Sequence, residues 1–130
     1  MVGLVLVSHI AKLAEGALEL GLLMAPDIPA EAAGGTADGG PGTDYEKIAG
    51  AVQRVSEMAD GGVLVIADMG SSRMTAEMVL EDREGCQPEA VIADCPFVEG
   101  CVAAAVSAAA GEGLADVRRA AETALRRDCE

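Results

Sequence analysis

The sequence predicts an α/β fold: a doubly wound, mainly parallel four-stranded sheet with helices on both faces. Three observations predict it. Short runs rich in Val, Leu and Ile, at Val2–Ser8, Val63–Ala67 and Ala90–Asp94, alternate with longer stretches of helical periodicity. The runs are continuous in apolar residues, as strands covered on both faces require. The 130 residues are 51% hydrophobic, which suits one domain over 1–130 with one layered core.

Each element follows in order. Val2–Ser8 (VGLVLVS) is the first buried strand. Ala11–Met24 is a helix whose stripe of Leu13, Ala14, Ala17, Leu20, Gly21 and Met24 should face the core, with Lys12, Glu15 and Glu19 outward. Pro26 stops it. Ile28–Ala33 is a weaker second strand, and Pro29 assigns it to a sheet edge. Gly34–Asp44 (GGTADGGPGTD) is a loop, longer than most connections in compact domains. Thr43 or Asp44 caps a helix over Tyr45–Ala59 that buries Ile48, Val52, Val55 and Met58 or Ala59. Asp60-Gly61-Gly62 breaks that helix, and Val63–Ala67 (VLVIA) is the third strand.

Asp68–Ser72 turns the chain at that strand's carboxyl end. Arg73–Asp82 is the next helix, with Met74, Glu77, Met78 and Glu81 on one side and Gly85 beyond its end. Ala90–Asp94 (AVIAD) is the fourth strand, and Pro96–Ala110 an Ala-rich helix. Leu114–Arg127 closes the chain as a helix, with Arg118, Arg119, Arg126 and Arg127 in and near its last turns.

Composition excludes several functions. Asp and Glu number 22 against 9 Lys and Arg, a formal charge of −13. Phosphate backbones and anionic lipids are bound mainly by clustered Lys and Arg, so nucleic acid and membrane are poor partners. No segment reads as transmembrane or secretory, which implies a cytoplasmic protein. The cysteines, Cys86, Cys95, Cys101 and Cys129, form no CxxC pair and share one histidine, so no metal is expected and buried reduced thiols are. Aromatics are limited to Tyr45 and Phe97, so the core must use Ala, Val, Leu, Ile and Met. Met58, Met74 and Met78 read as packing residues; Met69, inside the Asp68–Ser72 turn, is the exception.

Parallel sheets of this kind bind ligands beyond the carboxyl ends of their strands. The first strand delivers Ser8 and His9 there, the third Asp68, the fourth Asp94, and the glycine loop should lie on the same edge. His9 is the only histidine. A lone histidine at a strand end is as commonly structural or solvated as functional, but a carboxylate on the same edge changes its chemistry. An aspartate that accepts from Nδ1–H fixes the tautomer and leaves Nε2 as a nucleophile, and a neutral imidazole can attack phosphorus. A phosphoryl group then needs donors. With few cations, backbone amides of a helix start or a glycine-rich turn must supply them.

The candidates are the turn after His9, Gly34-Gly35-Thr36, and Gly70-Ser71-Ser72. On the competing reading Ser71 and Ser72 only cap a helix and Thr36 only supports a turn. No GK[ST] ends the glycine loop and no GxGxxG enters a helix, so a nucleotide site and other cofactors lack support. A Ser8-His9-Asp68 hydrolase triad is geometrically poor, because adjacent strand residues point to opposite faces. Asp94 is either a solvated residue or a helix-entry residue.

Taken together, LVLVSHIAKLAEG (4–16), GGTADGGPGTD (34–44), VLVIADMGSS (63–72), Glu77 and PFVEGCVAAAVSAAA (96–110) resemble the phosphotransferase subunit of bacterial phosphoenolpyruvate-dependent dihydroxyacetone kinase. The resemblance implies a fold like that of mannose-type enzyme IIA domains of the sugar phosphotransferase system. It implies that His9 is phosphorylated, that Asp68 orients it, and that Thr36 and Ser71 line the phosphate site. Gly35, Gly70 and Ser72 complete the expected phosphate-binding set. The implied donor is the histidine phosphocarrier HPr. The implied acceptor is ADP on the kinase's nucleotide-binding subunit, which serves the substrate-binding subunit. A homodimer is implied as well.

Ile10 departs from the pattern, standing where many relatives have a small polar residue, which removes one donor near the phosphate. Two alternatives remain at this stage: a mannose-type enzyme IIA feeding a sugar transporter, and a regulatory α/β module that is never phosphorylated.

Overall fold

The computed structural model describes residues 1–125. Nine elements run in strict alternation until the last pair: β1 (Gly3–Ser8), α1 (Ala11–Met24), β2 (Ala30–Gly34), α2 (Tyr45–Met58), β3 (Val63–Ala67), α3 (Ser71–Asp82), β4 (Ala90–Ile92), α4 (Phe97–Ala109) and α5 (Leu114–Glu122). The four strands form one sheet in the order β2-β1-β3-β4, and every pairing is parallel. The chain order reverses between β1 and β3, which is where a doubly wound sheet opens its ligand crevice.

The pleat assigns the core. Val2, Leu4, Leu6, Leu64 and Ile66 face α1, α4 and α5, whereas Val5, Val7, Val63 and Val65 face α2 and α3. All of these side chains are buried. β2 lies at the edge, as Pro29 requires: it begins just after that proline, whose carbonyl accepts from the Leu4 amide at 3.0 Å.

Several expectations need correction. The buried stripe of α1 runs through Ala14, Ala17 and Gly21, with Leu18 and Leu22 half-buried; Leu13, Leu20, Leu23 and Met24 are exposed. Close packing on α4 explains this, since a Cβ on Gly21 would sit 3.0 Å from Cys101 Sγ, leaving no room for leucine. Met58, Met74 and Met78 are not packing residues but lie on the surface, as Met69 does. Ala59, and not Met58, closes the buried face of α2. α3 begins at Ser71, two residues before the expected start, and β4 ends at Ile92, before Asp94.

Cys86 is exposed, Cys95 half-buried and Cys101 buried. Burial pushes the Cys95 and Cys101 thiols up to about 11, so both are inert near neutral pH. The end of the expected last helix, with Arg126, Arg127 and Cys129, lies outside the described residues. Among the described residues no helix is long and apolar enough to cross a membrane.

Candidate active site

Register brings the site together. β1 and β3 pair in parallel with Val7 opposite Ala67, so the residues that follow both strands emerge side by side. The Asp68 amide continues the ladder to Val7 O at 2.9 Å. Its carboxylate then turns toward the end of β1. It accepts from Ser8 Oγ at 2.9 Å and from the His9 amide at 3.0 Å through Oδ2, and from its neighbour's amide, Met69 N, at 2.7 Å through Oδ1. His9 Nδ1 lies 3.1 Å from Oδ1 and 3.3 Å from Oδ2.

These contacts fix the ionisation and the tautomer. Burial of Asp68 disfavours its charge, but hydrogen bonds from the His9 amide, Ser72, Ser8 and the Met69 amide outweigh burial and hold its carboxyl below the usual range. A charged carboxylate can only accept, so Nδ1 carries the proton and Nε2 keeps its lone pair. Nε2 receives the Ser71 hydroxyl at 2.8 Å. The imidazole is about a third exposed, with 30% of its side chain in solvent against 11% for Asp68. The orienting group is thus sheltered and the nucleophile reachable.

The turn into α3 lies beside Nε2. Gly70, with φ +50° and ψ −118°, holds a conformation that favours glycine and starts the helix without a side-chain cap. Ser72 N donates to Met69 O at 3.1 Å and Met74 N to Gly70 O at 3.1 Å. Among the described residues the amides of Gly70, Ser71 and Arg73 have no protein acceptor, which leaves a free helix N-terminus next to the ring.

The other candidates behave differently. Ser72 was expected at the phosphate, but its buried hydroxyl sits 3.0 Å from Nδ1, on the carboxylate side of the ring. Gly35 and Thr36 reach the same sheet edge with their polar groups already engaged. Gly35 N donates to Ser8 O, Thr36 N to Gly40 O, and the Thr36 hydroxyl to Asp38 and Gly40 O. Lys47 Nζ closes the loop on the carbonyls of Gly34 and Thr36, at 2.8 and 3.1 Å. Gly42 N donates to His9 O at 2.9 Å, so the glycine loop buttresses the backbone of the histidine. Asp94 is 89% exposed and faces Arg73 at 3.6 Å, outside the His9 cluster.

Sequence reasoning weighed Ser8 only as a nucleophile. Its hydroxyl instead bridges the site, donating to Asp68 and accepting from the Ile10 amide at 3.0 Å. The available signal was a polar side chain closing an otherwise apolar buried strand, since such a group must find partners.

Residues 3–118 match the EIIA-man family model, described as the fructose IIA component of the phosphotransferase system. The chain belongs to the EIIA-man family. Within it, similarity is high to proteins named phosphoryl donor subunit DhaM of phosphoenolpyruvate-dependent dihydroxyacetone kinase. The Klebsiella michiganensis protein is 40% identical over 96% of this chain, which covers 27% of that protein. One from Listeria innocua is 35% identical over 79% of this chain and 78% of its own length.

This EIIA-man chain spans about a quarter of the length of the enterobacterial relatives, 27% and 25% for those of Klebsiella michiganensis and Escherichia coli. Among solved structures, a protein of unknown function superposes with a TM-score of 0.85 at 26% identity, covering 99% of this chain and 98% of its own. A sigma-54 interaction domain protein from Enterococcus faecalis shares the fold, with a TM-score of 0.68 at 20% identity. Chemically, the EIIA-man site presents an oriented imidazole whose Nε2 keeps its lone pair, beside unpaired amides.

Proposed function

We propose that this chain is a phosphohistidine carrier: Nε2 of His9 accepts a phosphoryl group from HPr and passes it to ADP held on the nucleotide-binding subunit of dihydroxyacetone kinase. The observation that carries the reading is the contact between His9 Nδ1 and Asp68 at 3.1 Å, which leaves Nε2 as the nucleophile beside the start of α3. The similarity to phosphoryl donor subunits supports the choice of donor and acceptor system.

In the first step the Nε2 lone pair attacks the phosphorus of the donor's phosphohistidine. The donor's N–P bond breaks and its ring leaves with the bonding electrons. His9 keeps its proton at Nδ1, so its ring becomes cationic, and the adjacent carboxylate offsets that charge. The amides of Gly70 and Ser71 and the Ser71 hydroxyl receive the phosphoryl oxygens. In the second step an oxygen of the terminal phosphate of ADP attacks phosphorus, the Nε2–P bond breaks, and neutral imidazole returns with ATP as product.

The reading places the protein in the cytoplasm, where these carriers meet. The excess of 13 negative charges favours a donor with a basic docking face. It also includes a homodimer, for which the exposed row Leu13, Leu20, Leu23 and Met24 of α1 offers an apolar surface.

Incubation with phosphoenolpyruvate, enzyme I and HPr tests it. The expected product gains one phosphate by intact mass and is acid-labile and base-stable. A His9→Ala chain that still takes up label overturns the assignment, and a wild-type chain that takes up none is a regulatory module. The family description as a fructose IIA component keeps a second acceptor in play. Offering the labelled chain the nucleotide subunit with ADP, or a transporter IIB domain, decides between the two by where the label goes.

A further inference from the structure

The two ring nitrogens of His9 are held by consecutive residues. Ser71 Oγ lies 2.8 Å from Nε2 and Ser72 Oγ 3.0 Å from Nδ1. The two serines differ in everything else. Ser71 is exposed; Ser72 has no solvent exposure at all. A hydroxyl so deeply buried must have its hydrogen bonds met inside the protein. Ser72 does not spend them on capping α3, because the helix start has no side-chain cap. Its partner at hydrogen-bond distance is the imidazole, 3.0 Å away at Nδ1.

The donor and acceptor inventory then leaves one consistent arrangement. Asp68 can only accept, so Nδ1 carries the proton and the Ser72 oxygen faces it as an acceptor. Nδ1–H is thus shared between Asp68 at 3.1 Å and Ser72 at 3.0 Å. We propose that Ser72 is a positioning residue of the transfer site, a second acceptor that shares Nδ1–H with Asp68 and so fixes both the tautomer and the plane of the His9 ring.

Asp68 alone fixes the tautomer but not the plane. It offers two oxygens at nearly equal distance, 3.1 and 3.3 Å, so the carboxylate by itself does not select one ring plane. A second acceptor from a different element removes that freedom. Because Ser72 belongs to α3 and Asp68 to the end of β3, the ring plane is tied to the same helix whose first amides face Nε2. When Nε2 carries a phosphoryl group, Ser71 must give up its contact, while Ser72 and Nδ1 keep theirs. Ring orientation thus survives a change of cargo.

The proposal rests on the carrier reading for its kinetic consequence but not for its structural one. Nitrogen-15 NMR of the imidazole in the full chain measures the tautomer directly. In Ser72→Ala the ratio of Nε2–H to Nδ1–H tautomer should rise about fivefold, the equilibrium equivalent of one hydrogen bond. The rate of label uptake from HPr should fall by a similar factor, in kcat and not in KM. Ser72→Cys keeps the shape of the side chain with a weak donor and acceptor in a slightly larger atom, should fall between wild type and Ser72→Ala, and replaces Ser72→Ala if that variant does not fold. A tautomer ratio unchanged in a folded variant overturns the proposal, as does a change confined to KM. If the wild-type chain takes up no label, the carrier reading fails while the tautomer ratio still decides the role of Ser72.

Discussion

The glycine-rich loop at 34–44 and the short turn at 68–72 lie on the same edge of the sheet and use their backbone amides in opposite ways. In the loop, the amides of Gly35, Thr36, Gly39 and Gly42 are all donated to protein carbonyls, and Lys47 donates to the carbonyls of Gly34 and Thr36. In the turn, the amides at the start of α3 remain without protein acceptors and Gly70 holds a positive φ. Glycine content alone therefore says little about anion binding. What matters is whether a segment closes on itself or stops with donors unmet. On the proposed reading the loop braces His9 and the turn receives the phosphoryl group.

The largest test of that division lies at the carboxylate between them. Asp68→Asn removes the charge that offsets a cationic ring and allows the wrong tautomer, so label uptake should fall by about two orders of magnitude or more. Circular dichroism should show the fold intact. Uptake within threefold of wild type removes Asp68 from the mechanism. The same variant has a pH signature. The folded-state carboxyl of Asp68 is depressed, so its contribution to stability is present above the unfolded value of about 3.9 and is lost as pH falls through the lower folded value. Urea unfolding should therefore show wild type and Asp68→Asn converging in stability below pH 4, and a gap that widens in acid contradicts the assignment.

A smaller effect is expected at Gly70. Its φ of +50° with ψ of −118° suits glycine, yet a Cβ there would meet nothing within 4 Å. Gly70→Ala thus costs about 1–3 kcal/mol of backbone strain and no clash. Relief of that strain shifts the first turn of α3, so uptake should drop about tenfold with a lowered Tm. An alanine variant that melts and labels like wild type would show that the conformation is not needed.

How much of this the sequence disclosed depends on the element. β1 and β3 were readable because VGLVLVS and VLVIA admit little else, and their parallel register carries His9 and Asp68 to one place. The edge position of β2 followed from Pro29. The phase of α1 was not readable, because AKLAEGALELGLLM is apolar on more than one face. Only contact with Cys101 of α4 selects Ala17 and Gly21 for burial over Leu13 and Leu20. The methionines misled for a related reason: a chain poor in aromatics still fills its core with Val, Leu, Ile and Ala, and leaves the flexible side chains outside. Ser71 and Ser72 are adjacent letters, and only the 100° step between helical residues sends one to Nε2 and the other to Nδ1.

The smallest expected effect is the one that most sharpens the contrast between loop and turn. Thr36→Val removes a hydroxyl that donates to Asp38 and, at 3.3 Å, to Gly40 O, while the Thr36 amide keeps its bond to Gly40 O at 2.8 Å. Asp38 is exposed and regains water, so the loss of stability should be small. If the loop is a brace, transfer through His9 should stay within twofold of wild type, because no donor at the phosphoryl group has been removed. If the loop instead binds the phosphoryl group, losing that hydroxyl should slow uptake about tenfold in a chain whose melting temperature barely moves. Parallel measurements of label uptake and thermal unfolding on this one variant separate the two cases, and a tenfold loss with an intact fold would return Thr36 to the phosphate site.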